Sequence, residues 1–439
     1  MEDKNIAMAR RIAEAVREAG GCVYYVGGFV RDAVMGRSGT DIDLEVHGIM
    51  PQQLERILDT LGKSLKIGKS FGIFGLRQYD LDIAIPQTET GESAPMIGTE
   101  KAARRRDLTM NALMQNVLTG EIIDYFGGVE DIKRGILRHV NGKTFVQDPL
   151  RVLRTARFAA QFGFSVADQT MALVKTLDLN GIASERIWGE LEKALLSDKP
   201  SIFFRMLRQM EQLSYWFPEV QALIGIEQEP KYHPEGDVWE HTMLVLDKAA
   251  ELRSRAKEPF WFMLSALCHD FGKPLTTSVI DGRIRALGHE EAGIPLAKTF
   301  LRRISAEVKM ARYVCNMVQL HMRPNMAWTQ GSGDKAMCRL FDQSVCPEDL
   351  LLLSEADRLG RTEKLDYSDT RRFLKEKLAF YQTRMQAPYV TGEDLLQAGL
   401  RPGPMFREAL DYAHKLRLSG VEKQNALKQT LSYLQQKKY

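Results

Sequence analysis

A glycine pair followed by two alternating aspartates is the feature that most constrains this chain. It lies in the stretch YYVGGFVRDAVMGRSGTDIDLEV, residues 24–46. The pattern predicts a short strand, a glycine turn, a helix from Phe29, and a second strand carrying Asp41 and Asp43. Because side chains alternate along a strand, both carboxylates project from one face. We therefore expect a mixed region of helix and sheet with a charged site at one end of a strand.

The turn and the two acids together have the chemistry of a metal-bound triphosphate. Two carboxylates a few ångströms apart repel each other unless a cation lies between them, and Mg²⁺ often combines one or two carboxylates with substrate phosphates. Gly27 and Gly28 allow close backbone approach, and the helix that follows directs its N-terminus at an anion. Arg31 adds a fork-shaped phosphate donor. A capped turn beside an acidic strand end would explain a lone D-x-D, but the added glycines and arginine favour a nucleoside triphosphate.

The character of the chain changes near residue 140. Before this point the apolar periodicity predicts helices over 5–20 and 51–61, and FGIFGLRQYDLDIAIP contributes one or two strands. From Thr99 the pattern becomes helical, interrupted by the extended segment GEIIDYFGG, and from about Pro149 to the end it is predominantly helical. The sequence contains no internal repeat. We therefore expect an N-terminal α/β region followed by an all-α remainder.

The composition is that of an ordinary soluble protein, with 44% hydrophobic and 27% charged residues. The length of 439 residues suits about two to four domains. A net charge of +3 gives no global argument for nucleic acid, so a basic surface would have to be local. The five cysteines are scattered without a C-x-x-C pair, which favours reduced thiols. Since the chain has no membrane-length apolar run and no signal-peptide pattern, we expect a cytoplasmic protein.

Two arginine-rich stretches extend the predicted anion site. AARRRDLTMNALMQN places consecutive arginines at 104–106, followed by Asp107, before a predicted helix. In FVQDPLRVLRTARF, Asp148 suits the N-cap and Pro149 the first turn of a helix. The arginines of this second helix recur at intervals of three and share a broad face; they are Arg151, Arg154 and Arg157. Such a row is usually solvated, but the dense interleaving with apolar residues disfavours simple solvation here.

These segments together resemble the family of class II tRNA nucleotidyltransferases and poly(A) polymerases. The resemblance rests on VGGFVRD…G…DIDLEV, RRRDLTMNA, IIDYFGG and DPLRVLRTARFAAQFGF, which occur in order and at suitable spacing. It covers essentially the whole chain and implies a polymerase β-like head, a helical neck that reads the incoming base, and helical segments that hold tRNA. It also implies addition of nucleotides from CTP and ATP to the tRNA 3′ end without a nucleic-acid template, with Mg²⁺ as cofactor.

The resemblance also implies residue roles. Asp41 and Asp43 would be the catalytic metal ligands. The nucleotide-binding residues would be Gly28, Arg31, Arg105, Arg106, Asp148, Arg151, Arg154 and Arg157. In this family a carboxylate and an arginine of an EDxxR motif hydrogen-bond the Watson–Crick edge of the incoming base. Asp82, on the strand YDLDIAI, is a further carboxylate that a strand-end role explains equally well.

The chain departs from the family pattern at two places. The motif that normally begins Glu-Asp reads Gln147-Asp148 here, which alters or differently supports base selection. The segment between Pro86 and Arg104 is also shorter than the flexible loop expected in CCA-adding members. Shortening of that loop marks members that add only CC and leave the final A to a partner enzyme.

A second group of metal-type residues lies in the helical region, where several of the eight histidines fall. The group comprises His241, His269 with the adjacent Asp270, His289, His321 and Asp357. Burying an adjacent His-Asp pair unsatisfied within an apolar helix would cost several kcal/mol, so a metal or a tight hydrogen-bond network is expected. Imidazole and carboxylate ligands suit Ni, Mn, Fe, Co or Mg.

This region resembles the HD phosphohydrolase domain attached to some bacterial tRNA nucleotidyltransferases. On that resemblance the metal ligands are His241, His269, Asp270 and Asp357, and the other two histidines complete a two-metal site. The implied activities are phosphatase and 2′,3′-cyclic phosphodiesterase, which would clear a damaged tRNA end before nucleotide addition.

The overall prediction is an α+β enzyme. Its regions are a nucleotidyltransferase head over 1–140, a helical neck that binds nucleotide and RNA over 141–225, an HD domain over 226–365, and a helical tail over 366–439. The main hypothesis is CCA addition to tRNA with an attached HD hydrolase. The alternatives are CC addition alone, a poly(A) polymerase acting on generic RNA, and a catalytically silent RNA-binding or regulatory protein. The tail stretch VTGEDLLQAGLRPGP and the weak basicity favour the tRNA-type members over the poly(A) polymerases.

Overall fold

The structure is a computed structural model that describes residues 4–39, 41–67, 73–88, 91–305, 307–362 and 365–436. It divides into two compact units, each considered by itself below. The first comprises Met1–Ala194 with Ile202–Tyr215, and the second comprises Leu195–Ser201 with Trp216–Tyr439. In the part of the chain that the structure describes, no helix is both long and apolar enough to cross a membrane.

The first unit is built on a mixed sheet. Its strands are β1 Cys22–Val26, β2 Ile42–His47, β3 Ser64–Ile67, β4 Ile73–Leu76, β5 Leu81–Ala84, β6 Met114–Asn116 and β7 Ile122–Ile123. Their spatial order is β3-β4-β5-β2-β1-β6-β7, and only the β2–β5 pair is parallel among these described strands. A small parallel pair, β8 Ile136–Leu137 with β9 Ser165–Val166, lies outside this sheet. The predicted mixed sheet is confirmed.

Helices surround the sheet and continue after it. They are α1 Lys4–Glu18, α2 Gly28–Val34, α3 Pro51–Leu61, α4 Thr99–Ala103, α5 Gly128–Arg134, α6 Gly142–Phe145, α7 Leu150–Phe162, α8 Asp168–Lys175, α9 Ser184–Leu195, α10 Ser201–Gln209 and α11 Leu213–Trp216. A 3₁₀ turn spans Thr109–Asn111. The helix expected to follow Thr99 is therefore short, because the next residues turn back and β6 pairs with β1.

Alternation along β2 explains how one strand serves both the core and a site. Ile42, Leu44 and Val46 are almost fully buried, as expected for the core-facing positions of a strand. The intervening positions carry Asp43, Glu45 and the histidine that ends the strand. The acids therefore share the opposite face of the sheet, where a polar site can form.

The second unit is mainly helical. Its helices are α12 Pro218–Gln221, α13 Val238–Leu252, α14 Pro259–Cys268, α15 Lys273–Thr276, α16 His289–Ile304, α17 Val308–Leu320, α18 Arg323–Thr329, α19 Asp334–Gln343, α20 Pro347–Leu359, α21 Ser368–Gln386, α22 Gly392–Gln397, α23 Pro404–Leu418 and α24 Lys423–Gln436. A 3₁₀ turn spans Arg253–Arg255. The predicted helical C-terminal region is confirmed.

A short hairpin interrupts this helical unit and was not predicted. Strand β10, Thr277–Ile280, pairs antiparallel with β11, Arg283–Ala286. The turn between them is Asp281-Gly282, and both residues have positive φ, 50° and 71°. An Asp-Gly pair suits such a two-residue hairpin turn because glycine adopts positive φ at little cost. The dipeptide was therefore a readable hairpin signal in the sequence.

Candidate functional site

The first unit contains a polar cavity of about 660 Å³ between the sheet and α7. Every residue that the sequence predicted for the triphosphate site lines it. These residues are Gly28, Arg31, Asp41, Asp43, Arg105, Arg106, Asp148, Arg151, Arg154 and Arg157. Segments far apart in the sequence therefore line one cavity. The acid pair and the arginine-rich helix α7 both form part of its wall.

The two aspartates enter the cavity from the start of β2. Asp43 lies within the strand, whereas Asp41 immediately precedes it, one residue outside the strand that was predicted to carry both. Burial raises the pKa of Asp43; Arg106 opposes this shift, and the nearby carboxylates of Asp82 and Asp41 add to it. Mutual repulsion of this kind is relieved by a bound cation, so the donor set fits Mg²⁺.

The glycine turn lies directly against this acid. Gly27 has φ 68°, a conformation that disfavours other residues. A Cβ added to Gly27 would stand 3.3 Å from Arg106 Nη1 and 3.4 Å from Asp43 Oδ2. The glycine turn therefore lies close to both the guanidinium of Arg106 and the carboxylate of Asp43.

Arg106 is fixed by a residue that the sequence reasoning missed. Its Nη2 donates to Glu45 Oε2 at 3.1 Å, and Glu45 Oε1 is 2.8 Å from His47 Nε2. Burial alone would raise the pKa of Glu45, but the contacts with His47 and Arg106 outweigh it, and the pKa is lowered. Glu45 is therefore an ionised anchor for Arg106. It occupies the next same-face position after Asp41 and Asp43, so strand alternation was the signal that could have identified it.

Arg31 is held by polar and aromatic neighbours. Its guanidinium donates to Asp32 Oδ1 at 2.8 Å and to Asn111 Oδ1 at 2.9 Å. Its carbon also lies 4.9 Å from the ring centre of Phe162 and 5.3 Å from that of Phe158, both on α7. These contacts orient one face of the arginine, since cation–π attraction adds to the hydrogen bonds.

The three arginines of α7 have different partners. Arg151 donates to the backbone carbonyls of Thr144 and Arg105, each at 2.6 Å. Arg154 Nε donates to Asp107 Oδ2 at 2.7 Å, and Arg157 Nε donates to Glu190 Oε2 at 2.5 Å. Arg157 is almost fully buried, whereas Arg151 and Arg154 are partly exposed. The helix thus anchors the cavity wall as well as lining it, and the carboxylates of Asp107 and Glu190 were not predicted to take part.

Asp148 lies at the beginning of this helix. Its Oδ1 accepts from the backbone N–H of Leu150 at 3.3 Å, and its Oδ2 accepts from Arg186 Nη2 at 2.8 Å. The N-cap position itself is occupied by Pro149, one residue later than expected. Gln147 is exposed and does not line the cavity. The substitution that breaks the family motif therefore lies outside the wall of this cavity.

A buried cluster in the second unit contains all the metal-type residues predicted there. His241, His269 and Asp357 form one group of potential ligands, and Asp270, His289 and His321 form another. Within each group the ligand atoms lie within 4.8 Å of one another. Asp270 joins the two groups, because its Oδ2 is 3.2 Å from His269 Nε2 and its Oδ1 is 3.4 Å from His289 Nε2.

Three of these imidazoles are oriented by backbone carbonyls. The Nδ1 atoms of His269, His289 and His321 lie 2.8, 2.8 and 2.7 Å from the carbonyl oxygens three residues earlier. Because a carbonyl can only accept, each Nδ1 carries a proton, and Nε2 is the ring nitrogen that each histidine presents inward. A metal-ligating histidine is typically oriented in this way by its other ring nitrogen.

Some of the ring nitrogens and carboxylate oxygens that face the centre of the cluster lack, within the part of the chain that the structure describes, the hydrogen-bond partners that buried polar atoms usually have. Among the described residues, no hydrogen bond reaches His269 Nε2 or either oxygen of Asp270. The Nε2 atoms of His289 and His321 face each other at 3.3 Å. Burial, followed by the neighbouring rings of His289 and His269, lowers the pKa of His321 to about 3, so this ring does not supply a proton between them. Facing ring nitrogens and carboxylate oxygens that lack a hydrogen-bond donor fit divalent cations.

Two further buried residues support the cluster and were missed in the sequence. Glu235 Oε1 accepts from His241 Nδ1 at 2.8 Å, while His241 Nε2 lies 3.0 Å from Asp357 Oδ1. Lys273 Nζ lies 2.6 Å from Asp270 Oδ2, in an ion pair outside hydrogen-bond geometry, and donates to Gln228 at 2.7 Å. Their proximity to the HD motif, in HPEGDVWEH and HDFGK, was the available signal.

Comparison with known protein families gives matches over three parts of the chain. Residues 23–138 match the family described as the poly A polymerase head domain. Residues 163–224 match a probable RNA- and SrmB-binding site of polymerase A, and residues 238–362 match the HD domain.

Two curated relatives decide the family. The multifunctional CCA protein of Pasteurella multocida is 35% identical over 86% of this chain and 92% of its own length. That of Nitrosococcus oceani is 36% identical over 86% of this chain and 93% of its own length. The chain belongs to the multifunctional CCA protein family. The prediction of a nucleotidyltransferase joined to an HD domain is therefore confirmed.

Solved structures support the fold of this CCA protein family member. The Bacillus stearothermophilus CCA-adding enzyme in complex with CTP has a TM-score of 0.70 at 23% identity, with 99% of each chain covered. The Thermotoga maritima CCA-adding enzyme complexed with tRNA has a TM-score of 0.67 at 21% identity, covering 98% of this chain and 96% of that one. At such identities the likeness establishes a shared fold.

Proposed function

We propose that this protein adds C, C and A to the 3′ end of tRNA, taking CTP and ATP as substrates without a nucleic-acid template. We propose further that its HD centre hydrolyses phosphate esters at RNA ends, and that it works in the cytoplasm. The observation that carries the first proposal is the single cavity shared by Asp41, Asp43 and the arginine-rich face of α7. Relatives named as CCA proteins support it.

In the first unit, Asp41 and Asp43 would hold Mg²⁺. When bound there, the metal would supply charge neutralisation at the triphosphate and at the attacking oxygen. The tRNA 3′-hydroxyl would lose its proton to solvent as its oxygen bonds to the α-phosphorus, the bond from that phosphorus to the β-bridging oxygen would break, and pyrophosphate would leave. Arg106, oriented by Glu45, would bind the triphosphate beside the glycine turn, and Arg31 would contribute a second guanidinium.

Base selection is proposed to occur at the beginning of α7. Asp148 offers carboxylate oxygens and Arg151 and Arg154 offer guanidinium donors to the same cavity. Arg151 already donates to two backbone carbonyls, so its guanidinium plane is fixed before a nucleotide binds. Preorganised polar groups of this kind discriminate between base edges better than mobile ones, because little reorganisation is needed on binding.

A primer-extension assay tests the nucleotidyltransferase proposal. The substrate is a tRNA transcript that ends immediately before CCA, incubated with CTP alone, ATP alone, or both. We expect two additions with CTP and a third only when ATP is also present. Asp43→Asn should abolish all additions while leaving the fold intact by circular dichroism. Absence of any addition by the wild-type protein with Mg²⁺ would refute the proposal, and long A tracts on generic RNA would indicate a poly(A) polymerase.

One observation favours CC addition as a second candidate. The shortened segment after β5 forms a closely hydrogen-bonded turn, with Ala94 N–H donating to the Pro86 carbonyl and Thr88 N–H to the Glu92 carbonyl, each at 2.7 Å. Residues 89 and 90 of this segment lie outside the described part of the chain. If the turn limits the change from C to A, the assay with both nucleotides should stop after two additions.

In the second unit, the groups centred on Asp270 would hold one or two divalent cations, with Ni, Mn, Fe, Co and Mg as the candidates. A metal bound there would supply Lewis-acid activation of a phosphate ester. The chain itself orients the ligands, through the backbone carbonyls and Glu235, and excludes water from most of the cluster. Net hydrolysis adds water across a P–O bond, so a 2′,3′-cyclic phosphate opens to a monophosphate.

Hydrolysis of RNA ends tests the HD proposal. Cytidine 2′,3′-cyclic phosphate and a 3′-phosphorylated oligonucleotide are offered to metal-free protein supplemented with one metal at a time. We expect release of cytidine monophosphate and inorganic phosphate with at least one of them. Asp270→Asn should remove both activities and leave CTP incorporation intact. Equal hydrolysis by Asp270→Asn would refute the assignment of this centre.

A further inference from the structure

The buried metal cluster of the second unit is accessible from only part of its surroundings. The side chains of His241, His269 and His321 are fully buried, and that of Asp270 is 1% exposed. Asp357 is the most accessible of the predicted ligands, with 11% of its side chain exposed. A substrate phosphate that reaches the cluster therefore comes past Asp357 or past the slightly exposed His289.

A cavity of about 390 Å³ has Asp357 in its wall. It lies between α18 and the end of α20, and its other lining residues include Trp328, Met322, Arg358, Arg361 and Tyr367. This volume falls in the range of small-ligand sites. An aromatic ring and arginines beside a phosphohydrolase centre suit a nucleoside phosphate. Bases stack on aromatic rings, and arginine binds phosphate.

Trp328 has the properties of a stacking platform. It is 39% exposed although it is a large hydrophobic residue. Behind it, Phe373 packs at a ring-centre distance of 5.2 Å and a tilt of 57°. The helix that carries Trp328 is tied down by Asn325, whose Nδ2 donates to the Ser354 carbonyl at 2.8 Å and whose Oδ1 accepts from Tyr367 at 2.7 Å. The ring is therefore held in place and partly open to solvent.

Arg358 supplies a cation next to the metal ligand. It immediately follows Asp357 on α20 and is exposed. With the residues that the structure describes, Arg358 forms no hydrogen bond or ion pair. By contrast, the guanidinium of Arg361 donates to the backbone carbonyl of Tyr232 and so closes one side of the cavity. A phosphate at Asp357 would thus have a guanidinium available beside it.

We propose that this cavity is the nucleoside subsite of the HD centre. It takes the 3′-terminal nucleoside of an RNA, or a free nucleoside 2′,3′-cyclic phosphate, with the base on Trp328 and the phosphate between Arg358 and Asp357. Recognition by stacking tolerates any base, so the subsite selects nucleoside esters over phosphate esters that lack a base. This inference rests on the proposed hydrolase function of the same centre.

Paired substrates and matched variants test the subsite. The substrates are cytidine 2′,3′-cyclic phosphate and methyl riboside 2′,3′-cyclic phosphate, which keeps the sugar and the ester but lacks the base. For Trp328→Ala we expect KM for the cytidine ester to rise about tenfold or more, as loss of one base stack implies. KM for the methyl riboside and kcat for both should stay unchanged. Trp328→Phe should restore most of the affinity, and Trp261→Phe, a tryptophan change elsewhere in the same unit, should have no effect.

Arg358→Gln should lower kcat/KM for both substrates alike, because both carry the phosphate. An unchanged response of both substrates to Arg358→Gln would overturn the placement of the phosphate. An equal loss for both substrates in Trp328→Ala, or no loss for either, would overturn the placement of the base.

Equilibrium binding separates failure of the subsite from failure of the hydrolase. Cytidine 2′-phosphate, a hydrolysis product, is titrated by calorimetry into the wild-type protein and Trp328→Ala. The protein has a second site that can bind a nucleotide, the triphosphate cavity of the first unit. The part of the binding that is lost in Trp328→Ala is therefore assigned to the cavity beside Asp357. If the wild type hydrolyses neither ester but shows this Trp328-dependent binding, the subsite stands and the hydrolase proposal falls. Equal binding by both proteins would overturn the subsite.

Discussion

The anchoring of Arg106 by Glu45 leads to a prediction specific to this chain. Glu45→Gln preserves the shape of the side chain but replaces its carboxylate by a neutral amide. The Arg106 guanidinium then loses a charge-assisted partner at 3.1 Å, in a place where Glu45 is only 11% exposed and Arg106 24% exposed. Arg106 remains beside Asp43, but nothing of opposite charge holds it in one orientation on this side.

The size of the effect follows from the hydrogen bond. Bonds to charged groups contribute about 1.5–3 kcal/mol, and neutral ones about half as much. The substitution therefore removes about 0.8–1.5 kcal/mol of the interaction that orients Arg106. If Arg106 binds the triphosphate, kcat/KM for CTP should fall by roughly 4- to 13-fold. Most of the loss should lie in KM, because the ground-state complex already contains the triphosphate.

The assay is steady-state CTP incorporation into tRNA that ends before CCA. Glu100→Gln is a matched control, because it makes the same change in an exposed ion pair, that of Glu100 with Arg104 at 2.6 Å. Exposed pairs of this type contribute little, so its kinetics and stability should match those of the wild type. Urea unfolding distinguishes a lost anchor from a damaged fold. A KM for CTP within twofold of the wild-type value in a stably folded Glu45→Gln protein would refute the role given to Glu45.

Other predictions concern stability and the metal centre. Burial alone would raise the pKa of Asp107, but its ion pair and hydrogen bonds outweigh this and lower it; the ionised form therefore stabilises the fold above the unfolded pKa of about 4. Asp107→Asn should lower the free energy of unfolding by about 3 kcal/mol at pH 7, as measured by urea unfolding. The difference in this free energy between the variant and the wild type should become smaller as pH falls below about 4. Gly272→Ala should reduce stability and metal binding together in thermal and calorimetric measurements, because the added Cβ would stand 2.0 Å from the His289 carbonyl oxygen. Glu235→Ala should weaken metal binding by about 10- to 100-fold in chelator competition, through loss of the bond that orients His241, and Glu235→Gln should restore part of it.

Local patterns were sufficient to predict part of the cavity lining of the first unit, but not Glu45 or Asp107. Helix α3 runs over the predicted 51–61, because its apolar spacing and Pro51 at the N-terminus specify it without reference to the rest of the chain. The glycine turn and the alternating acids were equally local. The turn and the acids fall within residues 24–46, so their relative positions depend mainly on local backbone geometry.

The partners of the arginines could not be predicted in the same way. Arg157 was predicted to face the nucleotide, and it does line the cavity, but its Nε is engaged by Glu190, which lies 33 residues later on α9. Arg154 is paired with Asp107, 47 residues earlier. Ion pairs across such separations depend on how helices pack, and periodicity reports only which face of one helix is polar. Whether Arg157 contacts a nucleotide therefore remains a prediction.

In the histidine and aspartate cluster of the second unit, the candidate metal ligands could be predicted from the sequence. The groups that orient those ligands through hydrogen bonds could not. His269 and His321 each follow the last residue of a helix, α14 and α17. The last carbonyls of a helix have no intrahelical partner, so they can accept the Nδ1 proton of a histidine placed there. His241 lies instead within α13, where the carbonyl three residues earlier already accepts from Thr242 Oγ1 at 2.8 Å.

His241 therefore needs another acceptor, and Glu235, six residues earlier in the chain, supplies it at 2.8 Å. Unlike a neutral carbonyl, a carboxylate acceptor also changes the pKa of the histidine. Contacts with Asp357 and Glu235 outweigh the effect of burial and raise the pKa of His241, so both of its ring nitrogens can carry protons when no cation is bound. Binding of a cation at Nε2 then displaces the proton from that atom, while the Nδ1 proton stays in the hydrogen bond to Glu235. The difference between a helix end and a helix interior thus explains why His241 requires an acidic support whereas His269 and His321 do not.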